Sequence, residues 1–401
     1  MKRSRPVVVK PIIILPEKKV RHPKGRRLAG GDQPLQRTPP PEAELEMRRS
    51  RARACLLGGA IGDALGAPIE FLTLAQIRHR YGNDGVTDLV AGPWPAGTIT
   101  DDTQMTLFTA EGMIRAQMRA HTKGLCHPPS VVCHAYLRWL LTQGMKPAFE
   151  MDRSSDGLLL GVRELYVQRA PGNTCLSALA AMTRIEGGAA LNDSKGCGGV
   201  MRMAPVGLFD ACKGQEFEYG RQFAALTHGH PTGYLAAGAF AFLIGELFRG
   251  TPLSEAIGKV IAELIRYEHH EETHIALRRA LTLAEGGAPT PEKVESLGGG
   301  WVAEEALAIA VYCALTANSF DNGVLAAVNH SGDSDSTGSI TGNLLGLIHG
   351  EAALPKSWLA RLELREIVSR VAEDLVDSPN FRSVPDPSPG EPRGWHVYPG
   401  D

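Results

Sequence analysis

The sequence predicts an all-α protein. Apolar residues recur at helical spacing through most of residues 42–376, alternating strand patterns are few, and Gly/Pro breaks such as Gly286-Gly287-Ala288-Pro289 and Gly298-Gly299-Gly300 separate the periodic stretches. With 401 residues and 43% apolar content, the chain can bury a substantial core.

Residues 1–41 stand apart as a basic, Pro-rich extended arm. The first 40 residues hold eleven Lys/Arg against two acidic residues, about +9, which leaves about −11 for the remainder of a chain whose formal charge is −2. Seven prolines in this stretch exclude a continuous helix. Two β-branched triplets, Val7-Val8-Val9 and Ile12-Ile13-Ile14, exceed the needs of a solubilising tail and suit a partner's groove or sheet edge. The arm has no aromatic residue to stack on bases, so nucleic acid is not an expected partner. Its run Pro11 to Pro16 is too short for a signal-peptide core.

From Glu42 the text turns acidic and then basic, as a helix start favours, and the helical domain is assigned to 42–376. Small residues at 58, 59, 60, 62, 64 and 66 allow close backbone approach within an apolar helix that Pro68 ends, with Glu70 just beyond. A phosphate loop does not fit there, because no Gly-Lys-Ser/Thr follows and Asp63 would repel the anion. Thr100-Asp101-Asp102-Thr103 opens the next helix, whose Met105, Phe108 and Met113 mark one face. One carboxylate suffices to cap a helix, so two adjacent ones exceed a cap's requirement.

Further along, 131–141 reads as helix, and Gly196, Gly198 and Gly199 expose amides able to cradle an anionic or hydroxyl-rich ligand, or form an ordinary connection. Thr227-His228-Gly229-His230-Pro231 reads as a helix start and pocket wall rather than a metal site. The apolar run 234–247 is too short and interrupted for a membrane span, so no membrane partner is expected. Residues 253–267, 303–316 and 340–349 are helical in period, and 377–401 form a loosely packed Pro-rich extension. Seven cysteines without paired spacing read as reduced thiols of a cytoplasmic protein.

The turn at 330–338, His-Ser-Gly-Asp-Ser-Asp-Ser-Thr-Gly, carries two carboxylates and several hydroxyls ahead of a helix. Such oxygens suit Mg²⁺, Mn²⁺ or Ca²⁺. An EF-hand would need Glu where Leu344 stands. An aspartate-nucleophile phosphatase loop, D-x-D-x-T, remains an alternative, as does a plain helix cap.

Together G-D-A-L-G-x-P-x-E, T-D-D-T, G-x-G-G-V-M-R-x-A-P, T-H-x-H-P and H-S-G-D-S-D-S-T-G, spread over about residues 50–350, resemble the ADP-ribosylglycohydrolase family in order and spacing. The resemblance implies a compact orthogonal helical bundle and a dinuclear Mg²⁺ (or Mn²⁺) hydrolase that removes ADP-ribose from modified side chains, most naturally arginine. It places metal ligands at Thr100, Asp101, Asp102, Asp333, Asp335 and Ser336, with Asp102 and Glu70 as catalytic carboxylates. Gly196, Cys197, Gly198, Gly199, Met201 and His228 would line the ADP-ribose cleft, Cys197 standing where many relatives carry Asn. The expected partner is an ADP-ribosylated protein. A toxin that ADP-ribosylates proteins must hold an anionic dinucleotide in a cleft, which a basic extended arm suits. An immunity-type protein is therefore expected, its arm (1–41) occluding a cognate ADP-ribosyltransferase toxin while its domain reverses the modification. The competing expectation is a binding-only inhibitor.

Overall fold

The computed structural model describes residues 41–151, 157–185, 187–381, 394 and 397–400. The basic arm lies outside them. Sixteen α-helices lie among the described residues, and the β pairing there is an isolated bridge between Gly196 and Val302. In chain order they are α1 (Glu42–Gly66), α2 (Leu74–Tyr81), α3 (Asp101–Lys123), α4 (Pro128–Thr142), α5 (Asn173–Ala180), α6 (Ala204–Leu208), α7 (Glu216–Ala225) and α8 (Pro231–Phe248). Then follow α9 (Leu253–Leu264), α10 (Glu271–Ala284), α11 (Pro291–Glu295), α12 (Ala303–Thr316), α13 (Phe320–Val328), α14 (Ser334–His349), α15 (Lys356–Leu359) and α16 (Arg365–Asp377).

The pair α1 and α14 forms the centre. From Ala52 to Gly66 every α1 residue except Arg53 is buried, whereas its first turns are polar and tied down by ion pairs of Arg49 with Asp377 and of Arg53 with Glu351 and Glu373. What lets two helices lie so close is reciprocal glycine. A β-carbon on Gly58 would collide with the Gly342 carbonyl, one on Gly62 with the Gly338 carbonyl, and the glycines of α14 meet the α1 backbone in the same way. This backbone-on-backbone contact brings Asp63, one residue past Gly62, beside the first turn of α14.

Around this pair α3 packs on α4 and α16, α13 on α14, and α12 against α10, α14 and α8. Helix α3 starts at Thr100 as N-cap and stops at Gly124, whose φ of +72° is open to glycine at little cost. Helix α8 begins with Pro231 at N1 behind His230, whose Nδ1 accepts from the Thr232 amide at 3.1 Å. By length and composition α8 could cross a membrane, with 18 residues of mean hydropathy 1.3, more than the run 234–247 promised. Because 83% of it is buried inside the fold, it is a core helix.

At the end of the chain the described residues Val397 and Tyr398 pack against the helical domain. Tyr398 is fully buried and donates to Asp374 at 2.7 Å, while the Val397 carbonyl accepts from the Leu158 amide at 3.2 Å. This stretch is packed because its aromatic ring finds a hydrophobic slot and its hydroxyl a buried carboxylate.

Candidate active site

Three chain segments deliver five carboxylates to one cleft of about 190 Å³: Glu70 from the turn after α1, Asp101 and Asp102 from the first turn of α3, and Asp333 and Asp335 from the start of α14. Single oxygens of Glu70, Asp333 and Asp335 lie within 4.8 Å of one another. Ser336 Oγ donates to Asp102 Oδ2 at 3.3 Å, joining the two clusters that lie 234 positions apart in sequence.

Local structure explains each placement. Asp333 is the N-cap of α14, its Oδ1 accepting from the Ser336 amide at 3.3 Å, so the cap reading is correct but incomplete. The turn before it is pinned by Asn329, which exchanges two hydrogen bonds with the Val86 backbone at 2.7 and 2.9 Å, and by the His330 to Thr337 contact at 3.0 Å. Thr100 caps α3, and its hydroxyl donates to Asp63 at 2.8 Å. Thr100 is fully buried and is not among the cleft-lining residues; its hydroxyl faces Asp63. Asp101 Oδ2 accepts from the Gly172 amide at 3.1 Å.

The opposite wall is a 3-10 turn, Cys197–Gly199. Gly196, Cys197, Gly198, Met201 and His228 line the cleft. Gly199 does not; it is buried beside Ala224 and His228. Arg202 locks this wall from behind, lying 4.3 Å over the Tyr136 ring and donating to Thr227 Oγ1 at 2.7 Å. Thr227 Oγ1 in turn contacts His228 Nδ1 at 2.9 Å. Nδ1 of His228 is thereby engaged with Thr227, and its Nε2 is the ring nitrogen left for the cleft. Burial, with the Arg202 charge adding to it, holds the His228 pKa down to about 3. Cys197 Sγ lies 2.7 Å from Asp333 Oδ2, and burial and that carboxylate push its thiol well above the usual range.

The electrostatics call for cations. Burial first, then the charges of Asp335, Asp333 and Asp101, push Glu70 up to about 11. Burial and neighbouring carboxylates likewise raise Asp101, Asp102 and Asp335 well above the carboxylate range. Among the described residues no Lys or Arg lines the cleft, and two buried oxygens, Glu70 Oε2 and Asp102 Oδ1, have no hydrogen-bond partner there. An all-oxygen donor set of this charge fits hard divalent ions. The phosphatase alternative fails here, because the D-x-D-x-T segment follows α13 and a turn rather than a strand.

Residues 44–383 match the ADP-ribosylglycohydrolase family model. The chain belongs to the ADP-ribosylglycohydrolase family. It is 26% identical to the ADP-ribosylarginine hydrolase Tri1 of Serratia proteamaculans over 348 residues, 84% of this chain and 82% of that protein. It is 24% identical to the ADP-ribosyl-[dinitrogen reductase] glycohydrolase of Rhodospirillum rubrum over 82% of this chain and 95% of that one. Bovine ADP-ribosylhydrolase ARH3 matches at 23% over 81% of this chain and 92% of its own. A solved structure described as an ADP-ribosylglycohydrolase-related protein complex superposes with a TM-score of 0.61 at 27% identity, covering 83% of this chain and 99% of that one. Family and relatives together indicate ADP-ribosyl hydrolase activity.

Three features escaped the sequence reading. Asp63 is fully buried and accepts from four donors, the amides and hydroxyls of Thr100 and Thr103. Its signal was an acid isolated among small residues of an apolar helix. Gly172, Asn173 and Thr174 line the cleft from a segment without any motif. Trp301 also lines it, directly after the triple glycine that reads as a loop.

Proposed function

We propose that the protein hydrolyses the bond between ADP-ribose and a modified arginine, with two Mg²⁺ (or Mn²⁺) held by Asp101, Asp102, Asp333, Asp335, Ser336 and Thr100. The observation that carries this reading is the convergence of five buried carboxylates on a cleft that no Lys or Arg lines among the described residues. The Tri1 relatives, named ADP-ribosylarginine hydrolases, support arginine as the linkage.

When bound, the cations supply Lewis-acid polarisation and a more acidic bound water. The chain's own groups do the rest. Gly196, Cys197, Gly198 and Met201 form the wall against which the ribose and diphosphate rest, and His228 offers them an uncharged ring nitrogen, Nε2. Cleavage of the C1″–N bond develops oxocarbenium character, which the surrounding carboxylates stabilise. Asp102 or Glu70, each with a free oxygen in the cleft, accepts the proton of the attacking water.

The arm extends the proposal. Its charge and its two β-branched triplets support docking into the dinucleotide cleft of a cognate ADP-ribosyltransferase toxin, so that one chain both blocks the toxin and reverses its product. Seven free cysteines, six of them buried, suit the reducing cytoplasm. Incubation with ADP-ribosylated arginine and serine peptides, with Mg²⁺ or with EDTA, tests the core of the proposal. Release from the arginine peptide alone, lost in EDTA, is the expected result; release from serine alone overturns the linkage, and undiminished release in EDTA overturns the metal.

A further inference from the structure

Beside the carboxylates stands an aromatic pair that the chemistry above does not use. Phe71, the residue after Glu70, stacks on Trp301 with ring centroids 5.7 Å apart and planes at 24°. Both are large apolar residues left in solvent, Phe71 71% and Trp301 44% exposed. Trp301 lines the cleft with Glu70, Asp333 and Asp335, whereas Phe71 does not, so Phe71 backs the indole from outside. The Trp301 backbone is held from the other side, its carbonyl accepting from the Cys197 amide at 3.1 Å, and Gly299 leaves room where a β-carbon would meet the indole at 2.9 Å. The indole is therefore braced, exposed and next to the reacting centre.

We infer that Trp301, braced by Phe71, is the platform for the leaving group: the planar guanidinium of the ADP-ribosylated arginine stacks on the indole while Glu70 faces its N–H edge. Guanidinium stacks on Trp better than on any other side chain, and its fork matches a carboxylate. Glu70 is the residue next to Phe71, and its Oε2 lies buried without a hydrogen-bond partner among the described residues. Adenine, also planar, is neutral and draws less from a carboxylate-walled site. Three centroid-aligned layers do not fit into a 5.7 Å gap, so the guanidinium takes the cleft side of Trp301 rather than the space between the rings. This assignment rests on the arginine linkage proposed above, and it makes Trp301 a specificity-determining residue and Phe71 a positioning residue.

The test measures, for Mg²⁺-loaded wild type and the variants Trp301→Ala, Trp301→Phe and Phe71→Ala, kcat and KM with an ADP-ribosylarginine peptide and the Kd of free ADP-ribose. For Trp301→Ala a rise of about tenfold in KM at little-changed kcat is expected, the size of a partly desolvated cation–π contact. Its Kd for ADP-ribose, which has no guanidine, should stay within about twofold, and this binding also certifies the fold. Trp301→Phe should recover most of the loss, and Phe71→Ala should fall between. An ADP-ribose Kd that weakens in step with KM assigns the platform to the adenosine half and overturns the inference, as does an unchanged KM. A wild type that releases nothing from the arginine peptide overturns the linkage proposal and this inference with it.

Discussion

The carboxylate of Asp63 accepts the amide and the hydroxyl of Thr100, at 3.0 and 2.8 Å, and so bolts the glycine-rich helix α1 to the first turn of α3 that carries Asp101 and Asp102. Asp63 is absent from the cleft lining, yet it sets the position of two of the five carboxylates. Replacing it with Ala strands four buried donors and should destabilise the fold by about 3 kcal/mol or more, read from the urea midpoint. Asp63→Asn keeps the volume and one acceptor oxygen, so it should fold with a smaller loss while kcat drops at least about tenfold, because α3 shifts against α14.

The glycine contact between α1 and α14 predicts opposite signs for two similar changes. Gly62→Ala drives a β-carbon into the Gly338 carbonyl and should cost about 2–3 kcal/mol. Gly258→Ala, in α9 with nothing near the added carbon, should stabilise by about 0.5–1 kcal/mol. Equal effects in chemical denaturation would mean that the helices do not touch at their backbones.

Asp102→Asn removes the charge of an oxygen that has no partner among the described residues. Single-turnover release of ADP-ribose should fall at least about a hundredfold, in the range for loss of a catalytic base or a ligand. A loss below about threefold would exclude Asp102 from both roles.

Metal and pH should act together on stability. Glu70, raised to about 11 by burial and by Asp335, binds protons in the fold that the unfolded chain releases near its ordinary value of 4.5. A raised carboxylate pKa means that the metal-free fold loses stability as pH rises above about 4.5, and bound cations relieve this. The thermal shift between Mg²⁺ and EDTA should therefore be larger at pH 8 than at pH 5, since protons compete with the metal.

His228 works in the other direction. With its folded pKa held down to about 3 against an ordinary 6.5, the unfolded chain takes up the proton first, so stability is lost as pH falls below about 6.5. The slope approaches about 1.4 kcal/mol per pH unit between the two values. His228→Asn should flatten the acid limb of the wild-type urea midpoint curve by that much, the carboxylate contributions being common to both proteins.

Much of the site was legible because its residues come in local clusters with fixed jobs. Two adjacent acids at a helix start exceed a cap, and Asp333, Asp335 and Ser336 repeat the pattern, so both halves of the centre stood out before any fold was known. Trp301 and the segment from Gly172 to Thr174 were not legible, since a lone aromatic after glycines and a short connection carry no local periodicity or chemistry of their own. The packed Tyr398 was hidden for a related reason: proline content describes the backbone of the extension, not the slot in which one ring lodges. Gly199 shows the converse, a motif residue that the turn puts against Ala224 rather than the cleft.

The amino-acid sequence alone determined the helical periodicity, the helix starts at Thr100, Pro231 and Asp333, and the charge of the site, all of which follow from interactions within a few residues. Only the tertiary structure decided that Glu70, Asp102 and Ser336 meet, that Asp63 is a bolt rather than a ligand, and that Phe71 braces Trp301. The farthest of these, Glu70 and Ser336, stand 266 positions apart in sequence, and they come together at the end of α1 and the start of α14, where glycine lets the two helices approach until their backbones touch.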